Sequence, residues 1–204
     1  MPNFIKKIKK QPLLGHVAHA LFAPSYRPYI NTQAALARQP KRAGVGIIIF
    51  PQEQHHVLVL IQRTQHPNDP HSGQVSFPGG RLEPNESLLQ CAIRECWEEI
   101  GVALSLEECC RELSPIYIPP SDFMVYPFVF YLDHAPDFKL QDAEVEHLLF
   151  YRLKDLQQLS LPPKEKVFSA SRGTQVPYFE VDGSYVWGAT AMILSELYFL
   201  LKNP

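Results

Sequence analysis

The sequence lacks several features that mark other classes of protein. None of its apolar runs approaches the length of about 20 residues that a bilayer-spanning helix needs. Pro12, Gly15, His16 and His19 interrupt the early apolar residues, so we expect no secretory signal peptide. Internal repeats and low-complexity tracts are also missing. With 204 residues, the chain is long enough for one sizeable core and too short for two comfortable domains. We therefore expect one globular, cytoplasmic domain.

The sequence also lacks the spacings of several metal and nucleophile sites. No CxxC pair occurs among Cys91, Cys96, Cys109 and Cys110, which argues against a structural zinc site and favours buried, reduced thiols. The histidines show neither HxxxH nor HExxH spacing. Ser72 and Ser76 have no evident Ser-His-Asp context, so a covalent serine mechanism is not expected.

Acidic residues are missing from the N-terminal quarter. Residues 1–52 hold eight basic residues and no Asp or Glu, although the whole chain has a net charge of −2. Such a basic segment could border the binding site of an anionic substrate, or attract nucleic acid or a membrane surface. It could also be an organellar presequence, which makes the organellar matrix the alternative location. We favour a solvated basic helix that packs on an acidic body, and expect neither nucleic acid nor membrane as a partner.

Apolar periodicity predicts the elements of the fold. Phe4, Ile5 and Ile8 indicate a short helix before Pro12, and the stripe from Leu14 to Phe22 indicates a second. Residues 1–42 are therefore predicted to be a helical extension packed on a domain of residues 43–204. Strands are predicted at 43–50, 57–63, 111–118, 125–132, 147–152, 168–170 and 177–181, and a helix at 188–201. Because hairpins and helices are mixed, an α/β fold with a mixed sheet between helices is expected.

The most informative stretch is Gly79–Val102, which reads GGRLEPNESLLQCAIRECWEEIGV. Ser87 and Gln90 fit a capping box, and Gly101 fits a left-handed helix end, so a helix is predicted between them. Glu95, Glu98 and Glu99 then lie at i, i+3 and i+4, on one face of that helix. Three carboxylates so close repel each other unless a cation binds them. Mg²⁺ or Mn²⁺ prefers such oxygen ligands and is the cofactor we expect.

The same stretch resembles a complete Nudix box, the signature of hydrolases that split a diphosphate linked to another moiety. Five residues separate Gly80 from Glu86, and seven separate Glu86 from Arg94. The resemblance implies a Nudix α/β/α sandwich over about residues 43–201. It also implies that Glu95 and Glu99 are the main metal ligands, that Glu98 is a further ligand or base, and that Glu86 and Arg94 form a bracing salt bridge. Gly79 and Gly80 permit a tight turn and close approach to a metal or phosphate.

Segments outside the box resemble the coenzyme A diphosphatase subfamily. Gly73–Gly80, GQVSFPGG, matches the second half of its motif, and 117–128 and 187–191 resemble later segments. The first half departs: Ile61 and Thr64 replace Thr and Ser, and the loop between Thr64 and Gly73 is one residue longer. That loop has no Arg or Lys, but Gln65, His66, Asn68, Asp69 and His71 instead. The resemblance implies hydrolysis of coenzyme A or its thioesters to 3′,5′-ADP and (acyl-)4′-phosphopantetheine, with Arg63 and Gln74 as substrate contacts.

Several alternatives remain open at this stage. The missing loop arginine also suits a diphosphatase for ADP-ribose, NADH or dinucleoside polyphosphates. A Nudix-fold module that binds nucleotides without catalysis is a third hypothesis, against which the intact glutamates argue. Tyr117, Phe123 or Tyr126 could stack on a base, although core packing is the simpler interpretation. In several Nudix enzymes a glutamate from a late loop acts as base or ligand, a role for which Glu144 and Glu146 are candidates here. The resemblance is also compatible with a homodimer.

Overall fold

A computed structural model describes residues 2–27, 31–65, 72–168, 171 and 173–202 of the chain. Its helices are α1 (Asn3–Lys10), α2 (His16–His19), α3 (Thr32–Leu36), α4 (Leu88–Ile100), α5 (Leu153–Gln157) and α6 (Gly188–Lys202). Its strands are β1 (Lys41–Gln52), β2 (His55–Arg63), β3 (Val75–Ser76), β4 (Gly79–Arg81), β5 (Cys109–Glu112), β6 (Ile116–Ile118), β7 (Phe123–Tyr131), β8 (Val145–Arg152), β9 (Glu165–Val167), β10 (Gln175–Val181) and β11 (Ser184–Trp187).

Strand β1 lies at the centre of the larger sheet, between β2 and β7. It runs parallel to β7 and antiparallel to β2, with which it forms the predicted hairpin, and to β4. Strands β3 and β8 pair with β2, while β5 and β6 pair with β7. A smaller antiparallel sheet has the order β11-β10-β9. The larger sheet is therefore mixed, as the sequence predicts.

Both faces of the larger sheet are buried, because β1 and β2 each carry a run of consecutive apolar residues, at 47–50 and 57–61. Ile47 and Ile49 of β1 belong to the same core cluster as Leu194 and Leu197 of α6. The alternate residues Ile48 and Phe50 join a second cluster with Cys96 and Ile100 of α4. Since successive side chains of a strand point to opposite faces, α4 and α6 cover opposite sides of the sheet. The predicted α/β/α sandwich is confirmed.

The N-terminal helices lie beside α6. Ile5 and Ile8 of α1 are fully buried in the α6 cluster, and Arg111 of β5 donates a hydrogen bond from Nη1 to the Ile8 carbonyl at 2.7 Å. Ser195 of α6 donates from Oγ to the Ala18 carbonyl at 2.7 Å. Strand β1 already begins at Lys41, and the division into residues 1–42 and 43–204 stays a prediction.

Two elements are shorter than predicted. The second helix covers only His16–His19, and Val17 of its predicted apolar stripe is 68% exposed. The chain turns after it and buries Phe22, whose ring stacks on Phe179 at a centroid distance of 4.1 Å. The strand predicted at 111–118 is divided into β5 and β6, because Ser114 between them donates its N–H to Glu196 of α6 instead of to the sheet.

Other departures involve short elements. The predicted Gly79–Gly80 turn is instead part of β4, which pairs with β1. Elements α5, β9 and β11 were not predicted. At the strand predicted for 168–170, Phe168 follows β9 without strand structure, and Ser169 and Ala170 lie outside the described residues.

Burial also qualifies the prediction for the thiols. Cys91 and Cys96 are fully buried, whereas Cys109 and Cys110 are only partly buried because β5 pairs with β7 alone. Across the described ranges, no helix combines the length and apolar character that crossing a bilayer requires.

Candidate active site

The acidic helix α4 begins and ends where local sequence signals place it. Ser87 accepts a hydrogen bond at Oγ from the Gln90 N–H (3.2 Å), and Gln90 accepts at Oε1 from the Ser87 N–H (2.8 Å). Gly101 ends the helix with a φ of 71°, in the left-handed region. The predicted capping box and helix end are both confirmed, and they fix the position of Glu95, Glu98 and Glu99 on the helix.

Arg94 connects the loop before α4 to the acidic face. It donates to Glu86 twice, from Nε to Oε2 at 3.1 Å and from Nη2 to Oε1 at 2.9 Å, so the predicted bidentate salt bridge is present. Its Nη1 also donates to Glu95 at 2.8 Å and to Glu98 at 2.7 Å. The bond from Arg94 lowers the pKa of Glu86, and its carboxylate partners, Glu86 foremost, raise the pKa of Arg94. The guanidinium of Arg94 thus fixes the positions of three carboxylates, those of Glu86, Glu95 and Glu98.

Glu99 is the buried member of the acidic face, with 2% of its surface exposed. Its Oε2 accepts a hydrogen bond from the Gly79 N–H at 2.8 Å, and its Oε1 lies 3.6 Å from Nη1 of Arg63. Burial raises the pKa of Glu99 to about 8, although the Gly79 N–H and the Arg63 charge oppose the rise. Burial raises the pKa of Glu95 as well, and the charge of Glu98 adds to that rise. The charge of Glu95 in turn raises the pKa of Glu99. The ionised forms of Glu95 and Glu99 are therefore unfavourable in free energy unless a further cation binds them.

Strand β4 brings the backbone against these carboxylates. A Cβ added at Gly80 would overlap the carboxylate of Glu95, so only glycine lets that side chain approach the strand so closely. Gly79 supplies the N–H that binds Glu99. The two glycines thus lie in a paired strand, where they let the carboxylates of Glu95 and Glu99 approach the backbone closely. Their approach to a metal or phosphate stays a prediction.

Glu144 is the late glutamate that the fold brings to this face. The segment before β8 is tied to the end of α4, because Gln141 donates its N–H to the Glu99 carbonyl at 2.9 Å. Thr64 donates its N–H to the Glu144 carbonyl at 3.0 Å. The charge of Glu144 is among the main causes that raise the pKa of both Glu95 and Glu99, and Glu146 is not among them. Sequence reasoning did not separate these two glutamates, because only the fold shows which one faces α4.

A cavity of about 680 Å³ opens beside β4. All four predicted substrate contacts line it: Arg63, Gln74, Gly79 and Gly80. Ser121 and Trp187, from the two later segments that resemble the coenzyme A diphosphatase subfamily, also line it. Tyr26, Arg27 and Arg81 are wall residues that were not predicted as part of the site. The only signal for Arg27 was its place in the basic N-terminal segment.

The three aromatic residues considered for base stacking differ in position. Phe123 lines the cavity. Tyr117 is 8% exposed and donates a hydrogen bond from its hydroxyl to Asp122 at 2.8 Å, and Tyr126 packs against buried neighbours of α3 and β6. Of the polar loop residues, His66, Asn68, Asp69 and His71 lie outside the described residues.

The donors suit a hard divalent cation, although they are not gathered around one point. Within the described ranges, no three acidic, histidine or cysteine side chains converge as a ready metal cluster. The reason is visible in the contacts: Arg94 holds Glu95 and Glu98, while Gly79 and Arg63 hold Glu99. The carboxylate chemistry and the raised pKa values of Glu95 and Glu99 nevertheless fit Mg²⁺ or Mn²⁺, which would neutralise them.

Comparison with known proteins agrees with this geometry. A family model described as the NUDIX domain matches residues 40–171. An uncharacterised Nudix hydrolase, NudL, of Yersinia pestis (strain Pestoides F) is 30% identical over 158 residues, which cover 77% of this chain and 78% of that protein.

Solved structures share the fold. A MutT/nudix family protein from Enterococcus faecalis superposes with a TM-score of 0.55 at 14% identity, over 97% of this chain and 73% of that one. A bifunctional NMN adenylyltransferase/ADP ribose pyrophosphatase from Francisella tularensis, solved with AMP and an Mn ion, gives a TM-score of 0.51 at 16% identity, over 79% of this chain and 42% of that one. From the matched domain and the related hydrolase, the chain belongs to the Nudix hydrolases, a family of diphosphatases.

Proposed function

We propose that the chain hydrolyses the diphosphate of coenzyme A or its thioesters, giving 3′,5′-ADP and (acyl-)4′-phosphopantetheine. One observation carries the proposal. Three segments that resemble the coenzyme A diphosphatase subfamily, and that are far apart in the sequence, line the same cavity: Gln74–Gly80, 118–125 and 187–190. Each segment alone is a weak signal, but their convergence on one cavity beside the Nudix box is what a shared substrate requires.

The acidic face supplies the hydrolytic chemistry in this proposal. Glu95 and Glu99 would hold Mg²⁺ or Mn²⁺, with Glu98 as a further ligand or as the base. The cation, when bound, screens the diphosphate charge and makes water more acidic. Arg94 and Glu86 position these carboxylates through the bidentate pair. The proton of the attacking water passes to a carboxylate oxygen, for which Glu98 and Glu144 are the two candidates.

The cavity wall binds the substrate. Arg63, at the end of β2, supplies positive charge beside Glu99, and Gln74 supplies an amide for hydrogen bonding. Gly79 and Gly80 keep the backbone free of side chains where the cavity meets the acidic face. The remaining wall is largely apolar, with Phe123, Val125 and Ile193, and excludes water from the bond that is broken.

A second candidate function keeps the reaction and changes the substrate to ADP-ribose, NADH or a dinucleoside polyphosphate. The observation in its favour is the loop between Thr64 and Gly73, which has no Arg or Lys to bind the phosphates of coenzyme A. For this candidate, the protein needs no residue that binds a phosphate other than those of the hydrolysed linkage.

Product analysis by mass spectrometry separates the two candidates. The protein is incubated with coenzyme A, ADP-ribose, NADH and diadenosine polyphosphates, each with Mg²⁺ and with Mn²⁺. We expect 4′-phosphopantetheine and 3′,5′-ADP to form faster than any other product pair. Faster turnover of another substrate would replace coenzyme A with that compound, and no turnover of any would contradict the proposed catalytic site.

A further inference from the structure

Arg27 is a cation of the cavity wall that has no acidic partner among the residues that the structure describes. It lies in the N-terminal segment, two residues before Tyr29 and directly after Tyr26, which also lines the cavity. Its Nη1 donates to the sulfur of Met192 in α6 at 2.9 Å. Within the described ranges, no carboxylate lies within ion-pair distance of its guanidinium. Burial lowers the pKa of Arg27, which reflects the cost of holding this charge away from water.

Two other arginines near the site have acidic neighbours, and the third, Arg81, is exposed to solvent. Arg94 has three carboxylate partners, and Arg63 lies beside Glu99. A thioether sulfur is only a weak acceptor, so Met192 leaves most of the hydrogen-bonding capacity of Arg27 unused. A partly buried guanidinium that lacks an anion is costly, and an anionic ligand is the group that would remove this cost.

The segment that carries Arg27 is held firmly in place. Phe22 is fully buried and stacks on Phe179, and the Arg27 N–H bonds to the Pro24 carbonyl at 2.9 Å. The guanidinium is therefore presented to the cavity by an anchored turn. The hydroxyl of Ser121, another wall residue, has no hydrogen-bond partner in the described part of the chain, so it is a second polar group of the wall with unused capacity.

Arg27 lies away from the acidic face of α4, which carries Glu95, Glu98 and Glu99. At one side of the cavity, Gly80 packs against Glu95 of α4. Arg27 instead contacts Met192 of α6, the helix that covers the opposite side of the sheet. A group bound by Arg27 is thus a different part of the substrate from the diphosphate that is positioned beside Glu95 and Glu99.

We propose that Arg27 binds a phosphate monoester group of the substrate, distinct from the diphosphate that is hydrolysed, and so selects substrates that carry one. The inference rests on the proposed function in taking this cavity as the substrate site. A guanidinium recognises phosphate through two parallel hydrogen bonds, whereas a lysine at the same place offers a point charge. Arg27 would then supply, from the N-terminal segment, the phosphate recognition that the loop between Thr64 and Gly73 lacks.

The test compares ligands that differ by one phosphate. Binding of 3′,5′-ADP and of AMP to the full chain is measured by isothermal titration calorimetry, for the wild type, Arg27→Gln, Arg27→Lys and Arg42→Gln. Arg42 is exposed and lies outside the cavity wall, so its variant controls for lost charge. We expect Arg27→Gln to weaken 3′,5′-ADP binding at least about tenfold more than AMP binding, as for one charge-assisted bond. Arg27→Lys should fall between, and Arg42→Gln should keep the wild-type ratio.

Three results would overturn the inference: a wild type without preference for 3′,5′-ADP, equal weakening of both ligands in Arg27→Gln, or the same ratio change in Arg42→Gln. Circular dichroism and melting of Arg27→Lys guard against a folding defect. Turnover of coenzyme A and 3′-dephospho-coenzyme A is then compared. A wild type that hydrolyses neither contradicts the proposed function, whereas one that hydrolyses both with equal KM, unchanged in Arg27→Gln, contradicts the Arg27 inference alone.

Discussion

Arg94 and Glu86 form a two-bond pair, Nε to Oε2 at 3.1 Å and Nη2 to Oε1 at 2.9 Å, that joins the loop before α4 to the middle of that helix. The remaining Nη1 donor reaches Glu95 and Glu98. The pair therefore acts on the reacting groups through geometry. Only a planar guanidinium can make both contacts with Glu86 and still bind the acidic face.

The first prediction concerns that geometry. Replacing Arg94 with Lys keeps the charge but removes the fork, so kcat should fall by about 10- to 100-fold, as for other residues that orient ligands. Melting temperature and KM should change much less. Arg152→Lys is a matched control, since Arg152 pairs with Asp155 on the surface, away from the cavity. Unchanged kcat in Arg94→Lys would show that charge alone is required there.

A second prediction concerns Glu99 and Glu98. Because burial raises the pKa of Glu99 to about 8, its neutral form is tolerated, and Glu99→Gln should fold and melt like the wild type. It should nevertheless lose Mg²⁺ binding, measured by calorimetry, and most activity, on the order of 100-fold or more. Glu98→Gln should also lose most activity with the fold intact. Glu107→Gln, on the exposed 3₁₀ turn, is the control. Full activity in both Glu98→Gln and Glu99→Gln would exclude this site.

The third prediction identifies the base. If Glu144 accepts the proton of the attacking water, Glu144→Gln should lower kcat by about 100-fold or more, with metal affinity and KM nearly unchanged. Glu146 is also exposed and is not among the main charges that act on Glu95 and Glu99, so Glu146→Gln should behave as the wild type. Equal rates for the two variants would leave Glu98 as the base.

Short-range signals made the catalytic helix predictable. The cap at Ser87, the helix end at Gly101 and the Glu86–Arg94 pair each depend on residues at most eight positions apart. The strand at 43–50 was also predictable, because an apolar run buried on both faces has one simple place in a sandwich.

What the sequence could not show depends on distant partners. The break between β5 and β6 follows from Ser114 binding Glu196, 82 residues away. Strand β4 exists because Gly79–Arg81 finds β1 as a partner, and two glycines alone predict only a turn. Arg27, Gln74 and Trp187 line one cavity, and no local sequence pattern predicts that these three residues lie close together.

The fourth prediction concerns Glu196, a fully buried carboxylate of α6. It accepts hydrogen bonds from the Gly15 N–H at 2.6 Å, the Ser114 N–H at 2.8 Å and the Ser114 hydroxyl at 2.8 Å. Glu196→Ala leaves these donors buried and unpaired, and should lower the free energy of unfolding by about 3 kcal/mol or more. Urea denaturation measures this. Glu180→Ala, an exposed glutamate of β10, should change stability much less. Equal effects would show that Glu196 does not hold the N-terminal segment.

The same carboxylate predicts how stability depends on pH. Burial raises the pKa of Glu196, but the His19 ring 3.7 Å away and the hydrogen bonds from Ser114 and from the Gly15 N–H outweigh it, so its pKa in the folded protein is lowered. The native state then binds fewer protons than the unfolded state at mildly acidic pH. The stabilisation from Glu196 is therefore complete above its unfolded pKa and is lost as pH falls towards its lower folded pKa. Urea denaturation from neutral to acidic pH should show the wild type losing stability faster than Glu196→Gln, which carries no titrating group there. Parallel pH profiles for the two proteins would assign the acid sensitivity to other carboxylates.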